Sequence, residues 1–199
     1  MSYLLDKCKF VSFNKSLIEK CSFFDCGHDD LNEFFKNDAV LYSSQLLGKS
    51  YAFVLEENNS IIVCAFTVSN DSIKVDVIPN SRRKKVNGGI PHKKQMRRYP
   101  AVLIGRLGVN KDFRRCNIGA ELMDFIKYWF VDPNNKTGCR FIVVDSYNES
   151  APLSYYTRNE FEFLFSTESQ ETEHLGLSID KRLETRLMYF DLIKLDEIT

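Results

Sequence analysis

The sequence has no long hydrophobic run, few glycines and prolines, and no CxxC cysteine pair. No apolar segment approaches the roughly 20 residues that a membrane-spanning helix needs. The first ten residues include Asp6, Lys7 and Lys9, which is atypical of a signal peptide. We therefore predict a cytoplasmic protein with no membrane partner. With 9 Gly and 5 Pro, collagen-like and low-complexity classes are excluded.

The six cysteines are scattered, and none forms a CxxC pair. This spacing predicts no metal site, and without an export signal the thiols are expected to be reduced and mostly buried. The hydrophobic fraction of 44%, with 16 Phe and 9 Tyr, is sufficient for a core. A chain of 199 residues fits one large domain, so we predict a single domain over residues 1–199.

Charge is balanced overall but unevenly distributed. The 27 basic and 27 acidic residues give a net charge of zero, which excludes a uniformly basic nucleic-acid-binding protein. No Asp or Glu occurs from Val77 to Lys111. This stretch is either a solvated loop or an anion-binding face. Its candidate binding residues are Arg82, Arg83, Lys84, Lys85, Lys93, Lys94, Arg97 and Arg98.

Hydrophobic periodicity predicts a mixed α/β (α+β) sheet with helices on its faces. The predicted helices are 14–20, 29–47, 117–130 and 150–158. The predicted strands are 51–55, 61–68, 72–78, 101–109, 140–145, 161–165 and 186–195. Residues 81–100 contain two glycines and two prolines and lack apolar periodicity, so we predict a loop there.

The most informative segment is 107–122, where a predicted strand leads into an amphipathic helix. Backbone N–H groups at a helix N-terminus lack intrahelical partners and carry partial positive charge. Gly119 and Ala120 allow close approach of a diphosphate, and Arg114 and Arg115 add charge. The segment is therefore either an anion cradle or an ordinary strand–turn–helix.

Arg114-x-x-Asn117-x-Gly119 resembles the Gln/Arg-x-x-Gly-x-Gly/Ala motif of the GNAT superfamily of acyl-CoA N-acetyltransferases. Asn117 replaces the usual first glycine, and asparagine tolerates left-handed backbone angles better than most residues. The resemblance implies a mostly antiparallel central sheet with a splayed parallel pair, flanked by helices. It also implies that acetyl-CoA is bound by Leu107, Gly108, Val109, Arg114, Arg115, Asn117, Ile118, Gly119 and Ala120.

A second segment, 144–156, is similar to the family's strand-Asn-x-x-Ala-x-x-(Phe/Tyr)-Tyr motif. The resemblance places Asn148 against the pantetheine arm or the neighbouring loop. It assigns Tyr156 as the catalytic acid that protonates the departing CoA thiolate. Glu160 stands where the family has glycine, which is a second departure from the pattern. Tyr155 and Tyr156 also fit a core aromatic pair, of which a helix buries at most one fully.

The N-terminal half narrows the resemblance to the GNAT toxins of bacterial toxin–antitoxin pairs. Phe24-Asp25-Cys26-Gly27 and Leu31-Asn32-Glu33-Phe34-Phe35 are similar to that group, as is Arg98-Tyr99-Pro100 before residues 104–109. Members of the group acetylate the α-amine of aminoacyl-tRNA. The resemblance thus implies an amine-bearing acceptor such as tRNA, with an antitoxin protein as partner. The resemblance is also compatible with a homodimer.

The chemistry expected is direct attack of a primary amine on the acetyl thioester. The strand 101–109 contains no carboxylate, which favours a weakly basic α-amine over lysine, although Asp145 or Glu149 remain alternative bases. Cys116 has no histidine nearby in sequence, which argues against a covalent intermediate.

Three functions stay open at this point: a general amine N-acetyltransferase, a toxin acting on aminoacyl-tRNA, and a non-catalytic acyl-CoA-binding or interaction module. The basic stretch would bind tRNA, the 3′-phosphate of the cofactor, or an acidic antitoxin segment.

Overall fold

The computed structural model describes residues 2–91, 94–178 and 181–195. The helices are α1 (Tyr3–Lys7), α2 (Lys15–Lys20), α3 (Asp29–Glu33), α4 (Ala39–Ser44), α5 (Asn80–Asn87), α6 (Ile118–Val131), α7 (Ser150–Arg158) and α8 (Glu168–His174). The strands are β1 (Cys8–Ser12), β2 (Lys49–Leu55), β3 (Ile62–Lys74), β4 (Arg98–Val109), β5 (Phe141–Tyr147), β6 (Glu162–Phe163) and β7 (Thr185–Asp191).

The seven strands form one sheet in the order β1-β2-β3-β4-β5-β7-β6. The sheet is mostly antiparallel with one parallel pair, and the predicted fold class is confirmed. Strands β4 and β5 are neighbours in this order and are connected through α6, the crossover that parallel strands require. None of the helices in the described ranges is both long and apolar enough to cross a bilayer.

The chain divides into two compact units. The first comprises the residues up to Ser69 together with Ile104–Trp129, and the second comprises Asn70–Leu103 and the residues from Phe130 onward. The single domain over residues 1–199 therefore stays a prediction.

In the first unit, α6 packs an aromatic cluster against the outer strands. Phe10 of β1 lies opposite Phe53 of β2, and the Phe10 ring contacts Phe125 at 4.8 Å and Trp129 at 5.3 Å between ring centroids. The predicted apolar stripe of α6 is confirmed at its buried positions, which are Ile118, Leu122 and Ile126.

The predicted helix over 29–47 is interrupted. A π-helical turn over Phe34–Asp38 separates α3 from α4. This wide turn adds a residue per turn, so the adjacent Phe34 and Phe35 are both buried, as is Ala39. A regular 3.6-residue helix does not bury two adjacent bulky side chains equally well, so periodicity did not reveal the break.

In the second unit, β5 and β7 form an antiparallel pair in which Val143 lies opposite Tyr189. The core around them contains Tyr99, Phe141, Phe165 and Tyr189. The predicted strand over 72–78 is wrong as a separate element, because β3 continues without a break to Lys74.

The predicted loop over 81–100 is also wrong. Its first part is the helix α5, and β4 already begins at Arg98. Only Val86 of α5 is buried, so the helix has no apolar stripe to detect. Side chains hold it instead: Arg82 donates to the carbonyls of Phe163 and Leu164, and Arg83 donates to that of Val75. The sequence pattern also missed α1, β1 and α8.

Three helices end in the same backbone motif, and only one of them uses glycine. Leu46, Glu160 and Gly176 have φ of 58°, 64° and 68°. At each, the N–H groups of the left-handed residue and of the residue after it donate to carbonyls of the last helical turn. For α7, Glu160 N–H donates to the Thr157 carbonyl and Phe161 N–H donates to the Tyr156 carbonyl, both at 3.0 Å. This is the Schellman arrangement, in which glycine is preferred.

We expect Leu46→Gly and Glu160→Gly each to stabilise the protein by about 0.5–1 kcal/mol, because left-handed backbone is strained for residues with a Cβ. Gly176→Ala is the matched control, since no described atom lies within 4 Å of its Cβ position and only backbone strain is added. It should destabilise by a similar amount. Urea unfolding with an unchanged m-value measures the stability of all three variants. A loss of stability in both Leu46→Gly and Glu160→Gly would contradict the argument.

Candidate active site

The backbone between β4 and α6 has an unusual conformation within the first unit. A short 3-10 turn covers Lys111–Phe113, and Arg115 and Asn117 then adopt φ of 65° and 61°. The predicted left-handed conformation of Asn117 is confirmed. Its carbonyl accepts from the N–H groups of Ala120 and Glu121, both at 3.1 Å, and thereby begins α6. Left-handed residues interspersed in such a turn are the backbone from which anion-binding nests are built.

The side chains of this segment have different environments. Ile118 is buried in the core, whereas Gly119 and Ala120 are half-buried and Arg115 is exposed. The Arg114 guanidinium donates to the carbonyl of Cys26, and a Cβ at Gly27 would lie 2.9 Å from its Nη2. Arg114 therefore braces the turn against residues 26–27. Its role in binding a diphosphate stays a prediction, as does that of Arg115.

Leu107 and Val109 are half-buried near the end of β4, and Gly108 is buried between them. A Cβ at Gly108 would lie 3.0 Å from Cβ of Cys26 and 3.1 Å from its Sγ. Glycine is required here because the strand passes directly beneath Cys26. The Cys26 side chain is buried, as are those of Cys8 and Cys64, whereas Cys116 is exposed.

Asp25 fastens the same turn, and the sequence analysis assigned it no role. Its carboxylate accepts from the N–H of Gly27 at 2.8 Å and from Asn32 at 2.9 Å, and lies 2.7 Å from Nζ of Lys111. Its carbonyl accepts the N–H of Lys111 at 2.9 Å. The Asp-x-Gly spacing signals the local turn, but the partner 86 residues away leaves no sequence pattern.

These contacts lower the pKa of Asp25 to about 2, first through the hydrogen bond from Lys111 and then through those from Gly27 and Asn32. Because the folded pKa lies below the unfolded value, the stabilisation is present above about pH 4 and is lost as pH falls toward 2. We expect Asp25→Asn to be less stable than wild type at pH 7, and the difference to shrink in acid. Unfolding midpoints measured from pH 7 to 2 test this; a difference that does not change with pH would contradict it.

In the second unit, α7 has the predicted bounds and carries Tyr156. The centroid of the Tyr156 ring lies 5.1 Å from that of Tyr155 and 5.4 Å from that of Phe161. Burial raises the pKa of the Tyr156 hydroxyl well above its usual value. The phenol is therefore protonated at neutral pH, as a proton donor must be. The Schellman cap at Glu160 brings Phe161 back to Tyr156. The Phe161 N–H donates to the Tyr156 carbonyl, and the two rings are in contact.

Asn148 directly follows β5 and is buried, and it connects the end of this strand to residues 182–183. Its side-chain N–H donates to the Leu183 carbonyl at 2.9 Å, and its own carbonyl accepts from Arg182 at 2.6 Å. The predicted contact of Asn148 with pantetheine stays a prediction.

The basic candidate residues separate into two groups. Arg82 and Arg83 hold α5 through backbone carbonyls, and Lys85 lies 2.5 Å from the carboxylate of Glu162. Lys84, Lys94, Arg97 and Arg98 are exposed, as is the paired Lys85. Lys93 lies outside the described residues. Beside α5 is an open cavity of about 340 Å³, lined by Arg83, Lys84, Asn87, Gly88, Ile90 and Gln95.

No protein-family model matches the sequence, and no curated protein matches it. Solved structures do match in fold. A Tyr-to-Phe mutant of KacT aligns with 98% of this chain and 100% of its own, with a TM-score of 0.71 and 16% identity. AtaT complexed with acetyl-methionyl-tRNAfMet aligns with 96% of this chain and 98% of its own, with a TM-score of 0.63 and 15% identity.

AtaTR bound with AcCoA aligns with 97% of this chain and 98% of its own, with a TM-score of 0.65 and 15% identity. The resemblance noted in the sequence is thus confirmed at the level of structure. Over nearly its whole length, this chain has the fold of the GNAT toxins KacT and AtaT.

Proposed function

We propose that the protein is an acetyl-CoA-dependent N-acetyltransferase that transfers an acetyl group to a primary amine by direct attack. The observation that carries the proposal is the left-handed turn at Arg115 and Asn117, which opens α6 as an anion cradle would require. The AcCoA-bound neighbour of the same fold supports acetyl-CoA as the cosubstrate. The cofactor residues in this proposal are 107–109, 114, 115, 117–120 and Asn148.

The proposed reaction needs no covalent enzyme intermediate. The amine nitrogen attacks the thioester carbonyl, a C–N bond forms, and the C–S bond breaks. N–H groups at the end of β4 would stabilise the developing oxyanion. The CoA thiolate takes the hydroxyl proton of Tyr156, and the amine loses its proton to solvent or to a carboxylate. The phenol of Tyr156 is neutral at pH 7 and therefore carries the proton that this step transfers.

For the acceptor, we propose the α-amine of an aminoacyl-tRNA. The sequence of β4 contains no carboxylate to deprotonate a lysine ammonium, whereas an α-amine is already partly neutral near pH 7. The exposed cations Lys84, Lys94, Arg97 and Arg98 would contact phosphates. AtaT, a neighbour in fold, has been solved with an acetylated aminoacyl-tRNA.

A protein antitoxin is the proposed partner, because a Tyr-to-Phe mutant of AtaT has been solved with the C-terminus of the antitoxin AtaR. A non-catalytic module would be expected if Asn117 and Glu160, which replace glycines of the family pattern, disrupted the turns that those glycines form. Both residues keep left-handed backbone, so we do not favour that alternative.

Calorimetric titration with coenzyme A tests the cofactor site. We expect binding by the wild type, and at least about tenfold weaker binding by Ala120→Asp, whose carboxylate repels a diphosphate while it favours the helix N-terminus. Ala120→Ser is the matched control. Thiol release from acetyl-CoA is then measured with charged tRNA, protein and polyamine acceptors. Absence of coenzyme A binding, or binding that Ala120→Asp does not weaken, would sink the proposal.

A further inference from the structure

We infer that Arg106 is a specificity-determining residue that binds an oxygen atom adjacent to the acceptor's amine. This inference rests on the proposed acetyltransferase function and assigns the part of the acceptor that the protein reads. Arg106 lies on β4 directly before Leu107–Val109, the residues proposed to hold the thioester.

The Arg106 side chain is held in place by few contacts. It is half-buried, and its Nη1 donates to the carbonyl of Gly105 at 2.8 Å. Its guanidinium carbon lies 5.2 Å from the centroid of the Phe34 ring, a cation–π contact. Phe34 is the first residue of the π-helical turn, and such turns are frequent at functional sites.

One donor of this guanidinium has no acceptor. Nε of Arg106 is buried, and no group in ranges 2–91, 94–178 and 181–195 accepts a hydrogen bond from it. Most buried donors in native proteins are paired, so an orphan donor on a permanent cation requires an explanation. Nε and Nη2 form the edge through which arginine binds oxygen atoms. Rotation about the terminal bonds of the side chain would present that edge to a bound molecule.

The position of Arg106 identifies which oxygen it would bind. One residue of a strand spans about 3.3 Å, so a substrate amine at residues 107–109 places its neighbouring atoms near Arg106. A guanidinium repels an ammonium group and attracts a carbonyl oxygen. Arg106 therefore favours α-amines beside a carbonyl, as in α-amino esters and amides, over alkyl amines.

Two acceptors that differ only in that carbonyl group test the inference. Leucinamide carries it, and isoamylamine has the same side chain without it. At equal concentrations of neutral amine, we expect the wild type to have at least about tenfold higher kcat/KM for leucinamide, from the loss of one charged hydrogen bond. We expect Arg106→Gln to raise the KM for leucinamide by about 10- to 100-fold and to change the KM for isoamylamine by less than about twofold.

Arg106→Lys separates charge from geometry, because lysine keeps the charge without the planar edge, and it should restore little of the preference. Calorimetry with coenzyme A checks that each variant is folded and still binds cofactor. An equal loss for both amines, or no preference in the wild type, overturns the inference while the acetyltransferase function stands. Acetylation of aminoacyl-tRNA without any turnover of leucinamide overturns it as well. Absence of turnover with every acceptor overturns the proposed function itself.

Discussion

Replacing Tyr156 by phenylalanine is expected to lower kcat for acetyl transfer by about 10²–10⁴-fold, the usual contribution of a general acid. The substitution removes only the hydroxyl, and the ring contacts with Tyr155 and Phe161 persist. The affinity for coenzyme A should therefore stay the same. The neighbours of the same fold include Tyr-to-Phe mutants of both KacT and AtaT.

The pH profile provides a second signature of this role. Burial raises the pKa of Tyr156, so the phenol stays protonated throughout the neutral and mildly alkaline range. A tyrosine with the ordinary pKa of about 10 would be half ionised at pH 10, so we expect wild-type kcat not to decline through ionisation of this residue between pH 9 and about 10.5. Thiol release followed across that range measures it.

Tyr155→Phe is the matched control for the tyrosine experiment, because Tyr155 is the adjacent residue on α7 and its ring contacts that of Tyr156. We expect it to retain turnover within about threefold of wild type, since it makes no contact with the reacting atoms in the proposed mechanism. If Tyr156→Phe retains full turnover, or if the two variants lose activity equally, Tyr156 is not the proton donor.

Hydrophobic periodicity and residue preferences predicted the features that depend only on nearby residues. The bounds of α7 and the buried stripe of α6 follow from hydrophobic periodicity, which needs only neighbours within one helix. The left-handed backbone at Asn117 follows from the intrinsic tolerance of asparagine. In each case, the residues that determine the structure lie within a few positions of one another.

The features that were missed depend on distant partners. Helix α5 is held by Arg82 donating to the Leu164 carbonyl, 82 residues away, and it buries almost no apolar surface of its own. Arg114 was predicted to bind the diphosphate of acetyl-CoA, and nothing in the sequence indicated that its guanidinium also donates to the carbonyl of Cys26, 88 residues earlier. A side chain that binds a remote backbone carbonyl leaves no periodic pattern, so sequence alone could not assign these contacts.

The largest effect on stability is expected where a buried ion pair joins α8 to β7. Arg186 and Glu171 are 8% and 4% exposed, with Nε and Oε2 separated by 2.7 Å. The second carboxylate oxygen of Glu171 accepts the N–H of Leu187 at 2.6 Å. Arg186 also lies over the Phe163 ring at 4.7 Å. Strand β7 pairs with β5, which leads into α7, so this pair supports the helix that carries Tyr156.

We expect Arg186→Met to destabilise the protein by about 3–5 kcal/mol, because it leaves the Glu171 carboxylate buried without its counter-charge. Methionine fills most of the volume beside Phe163, so the loss reports charge more than packing. Adding Glu171→Gln should recover more than half of the loss, since the amide oxygen still accepts from Leu187 and no charge is buried. Lys15→Met, which breaks the exposed pair with Glu19, should change stability by less than about 0.5 kcal/mol.

Urea unfolding of the single and double variants provides the double-mutant comparison. Recovery in the double variant is the decisive result, because a purely steric role for Arg186 predicts that the second substitution adds to the damage. In that case Glu171 and Arg186 would act independently, and the support of β7 would come from packing against Phe163.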